Sequence, residues 1–288
     1  MSEPLAQAEA ALRAGDPDGA LQHLTAAVKA KPADARLRIF MAQLLCVQGQ
    51  WTRAHTQLNV VADLLPSAGP MREMVGHALR CELLRAEVFA GKRAPMVFGH
   101  PDPWLAKLIE SLLQSGQGNQ ALADELALRA FDEAPAVPGA LNGEPFEWIA
   151  DADSRLGPVL EAFVNGKYYW VPFSRLTKVS LDAPQDLRDM VWAPGYLTFD
   201  NGGEVVAMIP SRYPGSEAST DPQIRLSRKT EWTAIGAERY AGLGQRLFSS
   251  SLGDHDLLSV RLLELQPPPS ADGDAEVGDA ADGAPGAA

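Results

Sequence analysis

From the first residues to about position 135, apolar side chains recur every three to four positions, and Ala, Leu, Arg and Glu dominate. That period belongs to amphipathic helices. From about 145 to 266 the pattern changes: Trp, Tyr, Val, Pro and Gly become frequent, and short alternating runs replace the helical period. "KYYWVPF", "LTKVSL", "RLSRKTEW" and "LLSVRLLEL" read as strands. "GYLTFDNGGEVVAMIP" predicts a hairpin turning at Asn201-Gly202-Gly203, residues that accept positive φ. "GPVLEAFVNG" predicts a short helix, with Pro158 suited to its first turn and Gly166 just past its end. "PQDLRDMVW" predicts one or two helical turns.

The helical zone contains a repeat. A shift of 34 residues carries Gly15 onto Gly49, Ala20 onto Ala54, Leu24 onto Leu58 and Pro32 onto Pro66. This spacing resembles the tetratricopeptide repeat, a helix–turn–helix unit. Glycine opens the turn, small alanine lets the helices approach, and proline ends the second helix. "MREMVGHALRCELLRAEVFAG" keeps Gly76 but lacks the turn glycine, and "DPWLAKLIESLLQSGQGNQALADELALRAFDEAP" predicts a further helical pair. Six or seven helices in a short solenoid follow. The expected class is α+β: an N-terminal all-α, tetratricopeptide-like domain over 1–135, then a smaller mixed α/β domain with a bent antiparallel sheet over 145–266. From Pro267 onward the chain carries five acids, no base and no aromatic residue. It has too little apolar surface to offset its ordering entropy, which predicts a disordered acidic tail over 267–288.

Charge narrows the function. The 288 residues carry a formal net charge of −12. A nucleic-acid footprint or a polybasic membrane patch would be basic and clustered, so neither partner is expected. The N-terminus has no basic n-region, and no apolar run approaches the ~18 residues of a membrane span. Cys46 and Cys81 lie in apolar helical stretches without CxxC spacing, as buried thiols of a reducing compartment do. A cytoplasmic protein is expected.

Catalytic signatures fail by spacing. Glu161 stands where a P-loop ending at Gly166-Lys167 would need glycine, no GxSxG occurs, and "GLGQRL" lacks a third glycine. His23, His55, His77, His100 and His255 form no HxH or HxxxH pair, so no metal, cofactor or catalytic residue is expected. The strongest cluster is "DADSR". On an extended segment Asp151, Asp153 and Arg155 share one side. Arg155 would hold both carboxylates ionised, and Asp153 could cap the turn before Gly157-Pro158. A hard-cation site is the competing reading, although two carboxylates are few ligands. Arginines also accompany aromatics: Arg188 with Trp192, Arg212 with Tyr213, Arg228 with Trp232, and Arg246 before Phe248. They fit either a buried network or an exposed recognition surface.

Three blocks, "WIADADSRLGPVLEAFVNGKYYWVPF", "APQDLRDMVWAPGYLTFDNGGEVVAMIPSRYPGSE" and "LSRKTEWTAIGAERYAGLGQRLF", together with the repeats before them, resemble the ImpE/TagJ family. These are accessory proteins of the bacterial type VI secretion system. The resemblance implies a cytoplasmic, non-enzymatic adaptor that associates with the small contractile-sheath subunit and is linked to the AAA+ ATPase that disassembles contracted sheaths. It carries over no catalytic residues. Repeat stacks bind a helix or peptide on the face of their first helices. By register that face holds Arg36, Ile39, Gln43, Cys46 and Val47, unless its apolar members pack on neighbouring helices. The alternative function is a small-ligand or metal-binding protein or enzyme, with a site near Asp151, Asp153, Arg188 and Arg212.

Overall fold

Helix pairs come first. The computed structural model describes residues 3–99, 101–236 and 238–268, so all of the expected tail beyond Pro268 lies outside the described residues. Among the described residues seven α-helices precede residue 134: α1 (Glu3–Arg13), α2 (Pro17–Ala30), α3 (Ala35–Val47), α4 (Trp51–Leu64), α5 (Gly69–Phe89), α6 (Pro103–Gly116) and α7 (Gln120–Glu133). Local signals start them. Asp16 accepts from the Gly19 N–H at 2.8 Å ahead of Pro17, and the Asp34 carboxylate accepts from the Arg36 and Leu37 N–H groups. α1 packs on α2, α3 on α4 and α6 on α7. The stretch without a turn glycine is one long helix, α5, of 21 residues.

Gly15 and Gly49 have φ of +82° and +65°, which L side chains rarely adopt. Both turns also press against the second half of the chain. A Cβ at Gly15 would lie 2.3 Å from the Gln223 side chain, and one at Gly49 would lie 2.5 Å from Glu217. The repeat glycines therefore serve two ends, the turn and the close approach.

The strands are β1 (Met96–Val97), β2 (Gly139–Leu141), β3 (Glu144–Phe146), β4 (Ile149–Asp151), β5 (Val159–Val164), β6 (Lys167–Pro172), β7 (Leu176–Leu181), β8 (Trp192–Phe199), β9 (Glu204–Pro210), β10 (Thr230–Gly236), β11 (Arg239–Gly244), β12 (Leu247–Ser250), β13 (Gly253–Asp256) and β14 (Leu262–Leu265). Nine of them form one sheet in the order β1-β6-β5-β9-β8-β7-β14-β2-β3. Among the described residues only β1, from the link between α5 and α6, pairs parallel in it. β10 and β11 form a separate ribbon, and β13-β12-β4 a small second sheet. The expected hairpin is β8–β9, and the helical turns expected near 187 are the 3-10 turn Leu187–Met190. The α+β class stands.

Three local expectations change. "GPVLEAFVNG" is strand β5, not a helix. All six β5 residues are buried, so the strand shows no alternation, and a short, nearly continuous apolar run does not reveal its period. "RLSRKTEW" starts on the last residue of a helical turn, Pro222–Arg225, and its strand begins only at Thr230. In "LLSVRLLEL" the strand is limited to Leu262–Leu265, after a 3-10 turn at Leu257–Ser259.

One core joins the two halves. It runs from Ala8 and Leu24 through Leu44 and Leu105 to Trp170, Trp192 and Leu226. A second cluster, including Leu160, Val171, Phe173 and Phe248, belongs to the sheets. Because apolar burial is the main stabilising term, each half depends on the other for part of its hydrophobic driving force.

Candidate functional site

A dense constellation of charge lies where α5 packs on the sheet beside β6. Glu161 points from β5 into the joint core with no exposed surface. Arg85 of α5 grips its carboxylate in a fork, Nε at 2.7 Å and Nη2 at 2.9 Å. The Tyr168 hydroxyl of β6 donates to it at 2.6 Å, and the Trp170 indole N–H donates to Tyr168 at 2.7 Å. Arg246, just before β12, reaches Glu161 with one Nη and Asp151 of β4 with the other. Its Nε donates to the Pro210 carbonyl at 2.9 Å, and its guanidinium lies 5.4 Å from the Tyr213 ring centroid. The Tyr213 hydroxyl donates to Asp151 at 3.1 Å. Two arginines thus face two carboxylates, and two tyrosines satisfy remaining lone pairs.

Burial acts on all of these groups, and the outcome differs with the neighbours. Burial alone would raise Glu161, but Arg85 and Arg246 outweigh it and hold the carboxyl at about 2. Asp151 keeps only a share of Arg246. Burial dominates there, Asp153 adds repulsion, and the carboxyl is raised to about 7. Burial pushes the Cys46 and Cys81 thiols up to about 12, which makes both poor nucleophiles.

"DADSR" forms a capped corner beside this network. Asp151 accepts from the Asp153 N–H at 2.9 Å. Asp153, fully buried, accepts from the backbone N–H groups of Arg155 at 2.8 Å and of Gly242 at 2.9 Å. Arg155 Nη2 pairs with Asp153 at 2.5 Å, and the guanidinium lies 4.8 Å from the Phe89 ring centroid at the end of α5. Arg155 therefore serves Asp153 alone. The expectation that it keeps both acids ionised is corrected: Asp151 looks to Arg246 instead, because the chain turns after β4 and carries the two side chains to different partners. Asp153→Ala should lower stability by about 2–4 kcal/mol, since it leaves buried donors unpaired. Urea unfolding measures this; an unchanged midpoint with lost partner binding would contradict it.

Known proteins place the chain. The sequence profile of the ImpE protein family matches residues 143–264, and a tetratricopeptide-repeat profile matches residues 11–69. The Pseudomonas aeruginosa protein described as type VI secretion system accessory component TagJ is 48% identical over 260 residues, covering 90% of this chain and 91% of that protein. The chain belongs to the ImpE/TagJ family. A Vibrio parahaemolyticus protein of known crystal structure superposes with a TM-score of 0.82 at 27% identity, covering 91% of this chain and 98% of that one. All of the network except Arg85 falls inside the ImpE match, and Arg85 stands beyond the repeat match.

The other residues singled out from the sequence are scattered across this family member. Arg212 is buried and points to the C-terminal end of α3. It donates to the carbonyls of Val47 at 2.7 Å, Cys46 at 3.0 Å and Arg225 at 2.6 Å. A cation there complements the negative end of the helix dipole. Arg188 pairs with Asp189 at 2.9 Å. Trp192 is buried, donates to Glu82 at 2.8 Å and lies 6.0 Å from Trp51. Arg228 is exposed and donates to the Leu12 carbonyl, while Trp232 lies against Tyr213 with centroids 5.6 Å apart. Among the described residues no hydrogen bond or ion pair joins Arg188 or Arg212 to Asp151 or Asp153, and no group of three or more His, Cys, Asp or Glu is placed to hold a metal ion.

The expected partner face of α3 needs correction. Cys46 and Val47 are 1% and 0% exposed, because the Leu187–Met190 turn and Arg212 cover that end of the helix. Ile39 and Gln43 are half-buried, and Arg36 alone is exposed. The sequence reading also missed Arg85, Glu161 and Tyr168. The available signals were one acid inside the apolar run "VLEAFV" and one arginine on the buried side of α5. A lone charge in such a run has to find a partner, but nothing local says which.

Proposed function

We propose that this chain is a non-enzymatic accessory adaptor of a type VI secretion system, acting in the cytoplasm. In this reading it binds a helix or peptide of the small contractile-sheath subunit and links the sheath to its AAA+ disassembly ATPase. The observation that carries the reading is the 48% identity, over 90% of the chain, to an accessory component of that system. The tetratricopeptide match supports protein binding, since such stacks commonly present helix or peptide grooves. The chemistry agrees in kind: the buried carboxylates are engaged by arginines, tyrosines and backbone N–H groups. No helix among the described residues is long and apolar enough to cross a membrane.

The test is capture of the small sheath subunit by the purified full-length protein, followed by addition of the ATPase. The expected result is a binary complex that retains the ATPase. Absence of any complex with the sheath subunit would overturn the reading, and a binary complex that never recruits the ATPase would remove its second half.

A further inference from the structure

We infer that the trough between α4 and α5 is an anion site, built to hold a phosphate group, free or carried on a small molecule. It lies in the helical half, apart from the buried ion network, and it stands whether or not the adaptor reading does.

The trough has a volume of about 490 Å³ and is lined by His55, Asn59, Arg72, Glu73, His77 and Arg80 around Gly76. Arg72, Gly76 and Arg80 recur at four-residue intervals, so they share one stripe of α5. His55 and Asn59 stand one turn apart on α4. Gly76 is the buried floor, in the middle of a helix, where glycine is less favourable than alanine. A methyl group would fit there, because a Cβ would meet nothing closer than 3.8 Å. Its omission opens one spot beside two donors: His55 Nε2 and Arg80 Nη1 each lie 3.9 Å from that Cβ position. The Asn59 amide nitrogen faces the other ring nitrogen of His55, Nδ1, at 3.4 Å. With Nδ1 accepting from that amide, Nε2 carries the proton and is a donor.

Charge points the same way. Arg72 and Arg80 have no carboxylate within ion-pair distance among the described residues. Arg85 on the same helix pairs with Glu82 and Glu161, and Arg93 just after it pairs with Glu87. On a chain of net charge −12, a trough with two unpaired arginines against one acid, Glu73, reverses the local sign and concentrates anions.

The arrangement of donors selects the anion. The arginines approach from the two ends of the stripe and His55 from the neighbouring helix. A carboxylate offers two oxygens in one plane and satisfies one fork. The tetrahedral oxygens of a phosphate accept from several directions at once, and arginine forks match them. The trough is larger than one phosphate, which leaves room for the remainder of a phosphorylated molecule.

Calorimetry on the intact protein tests the site with inorganic phosphate, pyrophosphate and glycerol 3-phosphate, against sodium chloride at matched ionic strength. Saturable binding at one site is expected. Tighter binding of inorganic phosphate or pyrophosphate than of glycerol 3-phosphate assigns the site to a free anion, and the reverse assigns it to a phosphate ester. Arg72→Gln and Arg80→Gln should each weaken binding about tenfold or more, as loss of a charge-assisted hydrogen bond does. Gly76→Leu fills the floor and should abolish binding, with circular dichroism checking that the helices are intact. Glu73→Gln removes the one acid and should tighten binding about two- to threefold. Arg36→Gln, on the exposed surface of α3, should leave it unchanged. No saturable binding of any of the three probes overturns the inference. Binding that persists at wild-type strength in Arg80→Gln and Gly76→Leu, or that sodium chloride reproduces, overturns it equally.

Discussion

Glu161→Gln is expected to destabilise the protein by about 3–5 kcal/mol, the range for breaking a buried charge pair from one side. The amide is nearly isosteric with the carboxylate, so packing in β5 changes little. Charge is what is lost. Arg85 and Arg246 both converge on this carboxylate and are themselves fully buried. Without it, Arg85 keeps only Glu82 at 3.4 Å and the Arg212 carbonyl, and Arg246 keeps Asp151 and the Pro210 carbonyl. The amide also brings two donors to a place already crowded with guanidinium donors. Because the network sits on the joint between α5 and β5, the loss should separate the unfolding of the helical half from that of the sheet half. Urea unfolding followed by tryptophan fluorescence and by circular dichroism measures both effects. Coincident transitions at the wild-type midpoint would show that the network contributes little.

Asp151→Asn should change stability by an amount that depends on pH. In the fold the Asp151 carboxyl is raised to about 7 from an ordinary value of 3.8. Between those values the folded state holds a proton that the unfolded chain has released. Stability from this group therefore falls as pH rises through that window, by up to about 1.4 kcal/mol per pH unit, and levels off above 7. Glu161 works the other way: held at about 2 against an ordinary 4.5, it contributes stability above 4.5 that is lost as pH falls toward 2. Both favourable conditions meet near pH 5. Asparagine cannot titrate, so this pH dependence should vanish in the variant, while its amide donors face those of Arg246, Tyr213 and Asp153; the variant should be less stable than wild type at pH 5, and the deficit should narrow by pH 8. Parallel stability curves from pH 5 to 8 would show that Asp151 is an ordinary ionised acid.

The family, the helical half and its repeat were legible because their signals are local. Gly15, Gly49, Pro32 and Pro66 act within a turn or two of themselves, and their roles follow from backbone sterics. The Asn201-Gly202-Gly203 hairpin is of the same kind. β5 was not legible, because a strand buried on both faces erases the alternation that identifies strands. The destination of each charge was not legible either. Asp151 and Arg155 are near neighbours in sequence, yet Asp151 pairs with Arg246, and Glu161 pairs with Arg85 across 76 residues. The packing of α5 on the sheet brings Arg85 to Glu161 and the pairing of β12 with β4 brings Arg246 to Asp151, because a buried charge must take whatever counter-charge the fold delivers. The same packing closes the α3 face over Cys46 and Val47 and leaves the α5 face open. The sequence alone settled the local turns, the repeat and the kinship, which depend on residues close along the chain. Tertiary structure decided which surface and which ion pairs this protein has, because both depend on contacts between segments far apart in it.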